Sequence, residues 1–332
     1  MDKPVVTRKA LVLGLGLVLL LALPPIALAM DEGFFISLFS RILIYALAAV
    51  SLDLILGYAG MASLGHGAFL GVGAYVVGIL AFHLSDGSPL PFLPGAWAGT
   101  ASALIAWTAA ILVSALFALV IGALSQRTSG VYFIMITLAF AQMLYFFFIS
   151  LSTYGGQDGV NLEQRNTFPL LDLGDDTSFY YVCLGLLLGF VFLCKRLVNS
   201  RFGMVMRGCK QNETRMRALG FATYRYKLMC FVIAGAGAGL AGALAANQSE
   251  FVSPGLMHWT RSGEIMIMVI LGGMGTLFGP ILGAAALLLM EDVLASYTEH
   301  WMIILGPVLI FVVLFARRGI YGFLAGPGGR DG

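Results

Sequence analysis

An all-α, polytopic integral membrane protein, with about eight to ten transmembrane segments of which one or two are broken or re-entrant, is the fold class that three features of this sequence predict. Apolar runs of roughly 20 residues, each enough to cross a ~30 Å hydrocarbon layer, recur along the whole chain. Only 11% of its 332 residues are charged and 59% are hydrophobic, whereas soluble domains carry about a quarter charged residues. Two glycine-rich interruptions, near 57–67 and 263–280, fall inside otherwise apolar stretches. No segment reads as an independent soluble domain, so residues 1–332 form one unit.

Charge placement orders the elements. Lys3, Arg8 and Lys9 hold the N-terminus in the cytoplasm by the positive-inside rule, and an uncleaved first span leads to Asp31 and Glu32 outside, closing a first section of 1–34. Residues 35–198 carry the next spans. Phe35 to Leu56 returns, and the glycine stretch and a third span to about Leu84 lead to the exposed loop SDGSPLPFLPG. A fourth span opens at Trp97 and ends at SQRTSG, where Arg127 marks the cytoplasm. Val131 to Leu151 then delivers an acidic loop to the outside, and Phe179 to Leu193 comes back in.

The segment 199–227 is a basic cytoplasmic loop. Nine of the 19 Lys and Arg residues lie between Lys195 and Lys227, with Glu213 as the single acid among them. The final spans occupy 228–318. Leu228 to Asn247 goes out, SEFVSPGLMHWTRSG forms an outer loop with Trp259 at the interface, and Glu264 to Ala295 has room for one full span and one shortened piece, split at GGMGTLFGP. Trp301 to Ala316 closes the bundle, and Arg317 and Arg318 place the tail, 319–332, and thus both termini, inside.

Glycine clusters at membrane depth need a reason, since unwound backbone survives there only where it is buried or lines a cavity. The stretches LILGYAGMASLGHGAFLGVGAY, from Leu54, and VILGGMGTLFGPILGAAA, from Val269, echo one another. Interrupted segments in corresponding halves point to a transport path, so Gly60, Ser63, Gly65, His66, Gly272, Gly273 and Gly275 are candidate pathway residues, and Gln142, a polar residue in the fifth span, joins them. For Gly67, Gly71 and Gly73, close helix packing is the better reading. His66 has two readings, lining the path or satisfying carbonyls freed by Gly65 and Gly67. Asp53, at the end of its span, is read as structural, capping the backbone of the broken segment.

Catalytic chemistry finds no support. The four histidines are scattered, no H-E-x-x-H or G-x-S-x-G occurs, and none of the five lysines follows a glycine, which excludes a Walker A loop. The four cysteines lack C-x-x-C spacing and are expected to be small buried residues. Few acids lie within spans, and no charged substrate site stands out. In SRFGMVMRGCKQNETRMRALGFATYRYK, Val205, Cys209, Met216 and Leu219 share one side of a helix that Gly220 stops. A short amphipathic helix of this kind can dock in a groove on a partner.

Four blocks, LGYAGMASLGHGAFLGVGAY, TSGVYFIMITLAFAQM with YGGQDGV, the basic loop and ILGGMGTLFGPILGA, together resemble the inner-membrane permeases of ABC importers of the branched-chain amino acid (LIV-type) class, whose close relatives handle urea and amides. The resemblance implies a bacterial inner-membrane permease domain paired with a second homologous permease, two ATP-binding subunits that hold ATP and Mg, and a periplasmic solute-binding protein. It implies no cofactor in this chain, membrane lipid as its surround, and no nucleic acid partner. It also implies that Asn212, Glu213, Arg217, Ala218, Leu219 and Gly220 form the loop that couples to the ATPase; the family's basic residue followed by E-N-E is here KQNE, so Gln211 departs. The rival expectation is an ion-coupled secondary transporter or channel for a small polar solute. Within the importer reading, branched-chain or similar small amino acids are the expected cargo, with urea and short amides as alternatives.

Overall fold

The computed structural model describes residues 3–29, 33–89, 99–169, 171–298, 300, 303, 306–307 and 319–325. Most of the closing span expected over 301–316, Arg317 and Arg318, most of the SDGSPLPFLPG loop, Asp31 and Glu32 lie outside the described residues. Helices dominate: α1 (Lys3–Ala29), α2 (Gly33–Asp53), α3 (His66–Asp86), α4 (Ala103–Ser125), α5 (Val131–Ser150), α6 (Asp176–Val198), α7 (Arg201–Gln211), α8 (Glu213–Ala218), α9 (Thr223–Ser249), α10 (Trp259–Gly272), α11 (Gly279–Tyr297) and α12 (Gly319–Ala325). Among the described residues, seven helices are long and apolar enough to cross a membrane. The protein is thus an all-α, multi-pass membrane protein.

At the centre stands α9, which packs against α2, α3 and α4. Its run AGAGAGLAGALAA removes side-chain bulk where backbones must meet. A Cβ on Gly242 would lie 1.8 Å from the Leu70 carbonyl oxygen, and one on Gly239 would lie 2.3 Å from Ser114 Oγ. The partner glycines on α3 obey the same rule. A Cβ on Gly73 would lie 2.0 Å from the Gly239 carbonyl oxygen, and one on Gly71 would lie 2.1 Å from Met257 Cγ, so packing explains both. Outward faces of α4 and α5 carry exposed Leu112, Leu116, Val120 and Phe146, as a lipid-facing surface does.

The loops gather at two ends. At the acidic end, the strands Val160–Asn161 (β1) and Phe251–Val252 (β2) pair antiparallel. Asn166 and Asn247 are buried and bond reciprocally: Asn247 Oδ1 accepts from the Asn166 N–H at 2.7 Å, and Asn247 Nδ2 donates to Asn166 Oδ1 at 2.8 Å. Arg165 ties Asp176 at 2.7 Å to Glu250 at 3.3 Å. The basic end holds α7, α8 and the break after α2.

One outer element differs from expectation. The segment after β2 does not stay at the surface but descends along α3, with Val252 against Gly78, Met257 against Gly71, and Ser262 Oγ accepting from the Gly67 N–H at 2.8 Å. Val252 and Met257 are fully buried. The shortened helix α10 therefore begins alongside α3, with Trp259 exposed in its first turn. The apolar residues of the descent seal it, and Gly71 and Gly78 of α3 leave room for them.

Candidate functional site

The two glycine clusters break the helices where expected, and the fold brings them together. At Leu54–Tyr58 the α2 helix widens into a π turn, and the chain runs irregularly until α3 starts at His66. The second break separates α10 from α11, with Gly273 at φ 118° and Gly275 at φ 76°, conformations that favour glycine. Asp53 joins the two: its Oδ1 accepts from the Gly275 N–H at 2.8 Å. It therefore holds the backbone of the second break, whereas the sequence reading had it cap its own. A Cβ on Gly57 would lie 2.1 Å from Asp53 Oδ1 and 2.4 Å from the Gly275 nitrogen. Thr276 closes the joint by accepting from the Gly279 N–H at 3.1 Å at the start of α11.

The other candidates form a second group. Ser51 Oγ donates to the Ala48 carbonyl at 2.7 Å, so its single proton is used and His66 Nε2–H donates to Ser51 at 2.8 Å. Ser63 Oγ accepts from the Gly65 N–H at 3.2 Å, and Gly65 packs on the Thr137 carbonyl of α5. His66 and Ser63 are wholly enclosed within the subunit, while Gly60 is exposed. Gln142 sits half-buried further along α5, apart from both groups.

The basic loop is two helices and not one. Asn212, in extended backbone, divides α7 from α8 and its Oδ1 accepts from the Arg215 N–H at 2.9 Å, an N-cap that starts a new helix. Val205 and Cys209 consequently turn inward and are buried, whereas Leu219 is 64% exposed. Glu213 holds the tip to the bundle: it accepts from Arg217 Nη2 at 2.5 Å and from Lys227 Nζ at the start of α9. Burial opposes ionisation of Glu213, but the bonds from Lys227 and Arg217 outweigh it and keep the carboxyl below the usual range. Gly220, at φ 87°, ends the element and presents Ala218, Leu219 and Phe221 outward. Lys210 of α7 reaches the first break, donating to the Gly57 carbonyl at 2.5 Å.

The sequence reading missed a set of intramembrane charges. Arg41 of α2 pairs with Glu291 of α11 at 3.2 Å, and Arg261 pairs with Glu264 within α10 at 2.7 Å. Glu291 also lies within electrostatic range of Arg261, linking the pairs. Arg41 stands roughly 24 Å along α2 from Gly57 and Glu291 roughly 18 Å along α11 from Gly279, at about 1.5 Å per residue. Both therefore lie deep in the layer that the helices cross. A charge there costs about 2.5 to 3.5 kcal/mol on insertion; that argument, applied to Arg41 and Glu291 as to His66 and Asp53, identifies them from sequence. Acids within the helices are thus not as few as the sequence reading held.

A polytopic helical bundle with two joined breaks, an exposed amphipathic loop and paired charges at depth has the build of a membrane permease. Residues 34–313 match the family described as branched-chain amino acid transport system, permease component, and the chain belongs to that family. It is 26% identical over 305 residues to the LivM permease protein of the high-affinity branched-chain amino acid transport system of Salmonella typhimurium, covering 84% of this chain and 68% of that one. A probable LivM permease protein of Methanocaldococcus jannaschii is 25% identical, with 84% and 89% covered. The LivH permease protein of Escherichia coli is 29% identical over 125 residues, or 37% of this chain and 40% of that one. No solved structure matches the chain.

Proposed function

We propose that this chain is the transmembrane permease subunit of an ATP-driven importer that moves branched-chain or similar small amino acids across the bacterial inner membrane. It receives cargo from a periplasmic binding protein, shares the path with a second homologous permease, and takes its power from two separate ATP-binding subunits that hold ATP and Mg. Both termini and the basic end face the cytoplasm. The observation that carries this reading is the α7–α8 loop, a braced element whose tip, Ala218 to Phe221, is exposed and apolar where a solvated loop has no use for it. Lys210 supports it by linking the loop to the first break, so a pull on the loop reaches the joint at Asp53. The names of the LivM and LivH relatives support the cargo class.

The test is copurification from mild detergent. Leu219→Asp changes only an exposed side chain, whereas Glu213→Arg also removes the brace to Lys227. The native chain is expected to bring an ATP-binding subunit with it and both variants to release it. Retention by Leu219→Asp would overturn the docking role. Uptake that survives ATP depletion but collapses with an uncoupler would replace the importer by an ion-driven carrier, for which Glu264 and Glu291 are the acids to examine.

A further inference from the structure

We propose that the cleft between α5 and the start of α10 is a cargo site, and that its chemistry selects a zwitterionic α-amino acid with an apolar side chain. This deepens the importer reading and rests on it. The cleft has a volume of about 380 Å³ and is lined by Tyr145, Ser253, His258, Thr260, Arg261 and Glu264, among others. It opens sideways from the bundle within the span: the Tyr145 ring, 5.2 Å from that of His258, stands roughly 21 Å along α5 from Val131 and roughly 8 Å short of Ser150, at about 1.5 Å per residue. Arg261 follows directly, since Ser262 beside it is bonded to Gly67 on α3.

What surrounds the cleft follows from exposure. The side chains of Arg41, Glu291, Arg261 and Glu264 are 37%, 27%, 36% and 41% accessible. Ion pairs this open cannot stand against hydrocarbon, so the face of α2, α10 and α11 that bears them meets water or a polar surface. It is the wall of the path, on the side where the second permease completes it. The apolar faces of α4 and α5 meet lipid instead.

Ligand class follows from the charges. Arg41, Glu291, Arg261 and Glu264 sum to zero, so the wall favours neither a free anion nor a free cation. Arg261 and Glu264 are one turn apart and neutralise each other at 2.7 Å. A zwitterion can replace that pair with two: its carboxylate on the Arg261 guanidinium, its ammonium on the Glu264 carboxylate. The first turn of α10 lacks a side-chain cap, and its positive dipole end favours the carboxylate beside Arg261. Leu256 and the Tyr145 ring are left for an apolar side chain. Urea and short amides have no charged ends and would leave the pair unbroken.

The experiment uses the whole importer in proteoliposomes with leucine as probe. Glu264→Gln and Arg261→Gln each remove one charge at similar volume; each is expected to lower ATP-driven leucine uptake roughly tenfold or more, with the ATP-binding subunits still copurifying. In a second measurement Thr260→Cys is treated with a membrane-impermeant cationic thiosulfonate, the four native cysteines being buried. It is expected to react, to block uptake, and to be protected by excess leucine. Full uptake in both charge variants overturns the site, and so does an unreactive Thr260→Cys, which decides the matter if the charge variants fail to assemble. Absence of ATP-driven leucine uptake in the native complex would instead overturn the importer reading, and Thr260→Cys protection by leucine would still separate the two.

Discussion

Two sets of charged groups lie within the apolar depth of this bundle, and they are built in opposite ways. Asp53 is 2% exposed and is held by a backbone N–H of the other break. The pairs Arg41 with Glu291 and Arg261 with Glu264 keep between 27% and 41% of each side chain accessible and are held by one another. A sealed carboxyl whose Oδ1 accepts from the backbone joins two unwound segments, and its burial keeps it out of a solute's reach. An open pair keeps capacity on both partners and can exchange it for a ligand. Charge inside a membrane protein thus has two uses, and accessibility tells which one a residue serves.

The largest effect expected on that contrast comes from Gly57→Val, which places a Cβ 2.1 Å from Asp53 Oδ1 and 2.4 Å from the Gly275 nitrogen. Backbone stands on one side, so the joint cannot yield, and a loss of about 3 kcal/mol or more is expected. Size-exclusion chromatography in detergent should show no monodisperse subunit. A native profile would mean that the two breaks are not locked together.

A smaller, paired effect sharpens the comparison. Asp53→Ala leaves the Gly275 N–H unsatisfied in a buried site, at about 1 to 3 kcal/mol. Glu291→Ala removes one partner of an accessible pair and should cost under about 1 kcal/mol. Thermal unfolding in one detergent measures both, and equal losses would erase the distinction between sealed and open charges.

The smallest effect belongs to the basic end. Glu213 is held below the usual range, so its share of stability is complete above the ordinary glutamate pKa of about 4.3 and is lost as pH falls through the lower folded value. Proteolysis at the α8 arginines, followed while pH is lowered, should show an acid release of the loop. Glu213→Gln should show no such step; an unchanged step would assign the release to another group.

Much of the fold is legible residue by residue. The breaks at Gly57–Gly67 and near Gly275 announce themselves because glycine clusters inside apolar runs have few other uses. The basic loop is legible as an amphipathic element ending at Gly220, although Asn212, whose side chain caps a new helix, divides it. The descent after β2 was not legible, since nothing local reveals that Val252 and Met257 bury themselves along α3.

Composition and order along the chain determined, without coordinates, that this protein crosses a membrane many times and breaks its helices at two glycine clusters. Those properties depend on lengths, periods and local chemistry, which are written in consecutive residues. Only the tertiary structure decided that Asp53 holds Gly275, that Arg41 meets Glu291 across 250 positions, and that the second group stays open while the first is sealed. The reason is physical: satisfaction and exposure of a charge belong to its neighbours in space, and in a bundle those neighbours come from helices far apart in the chain.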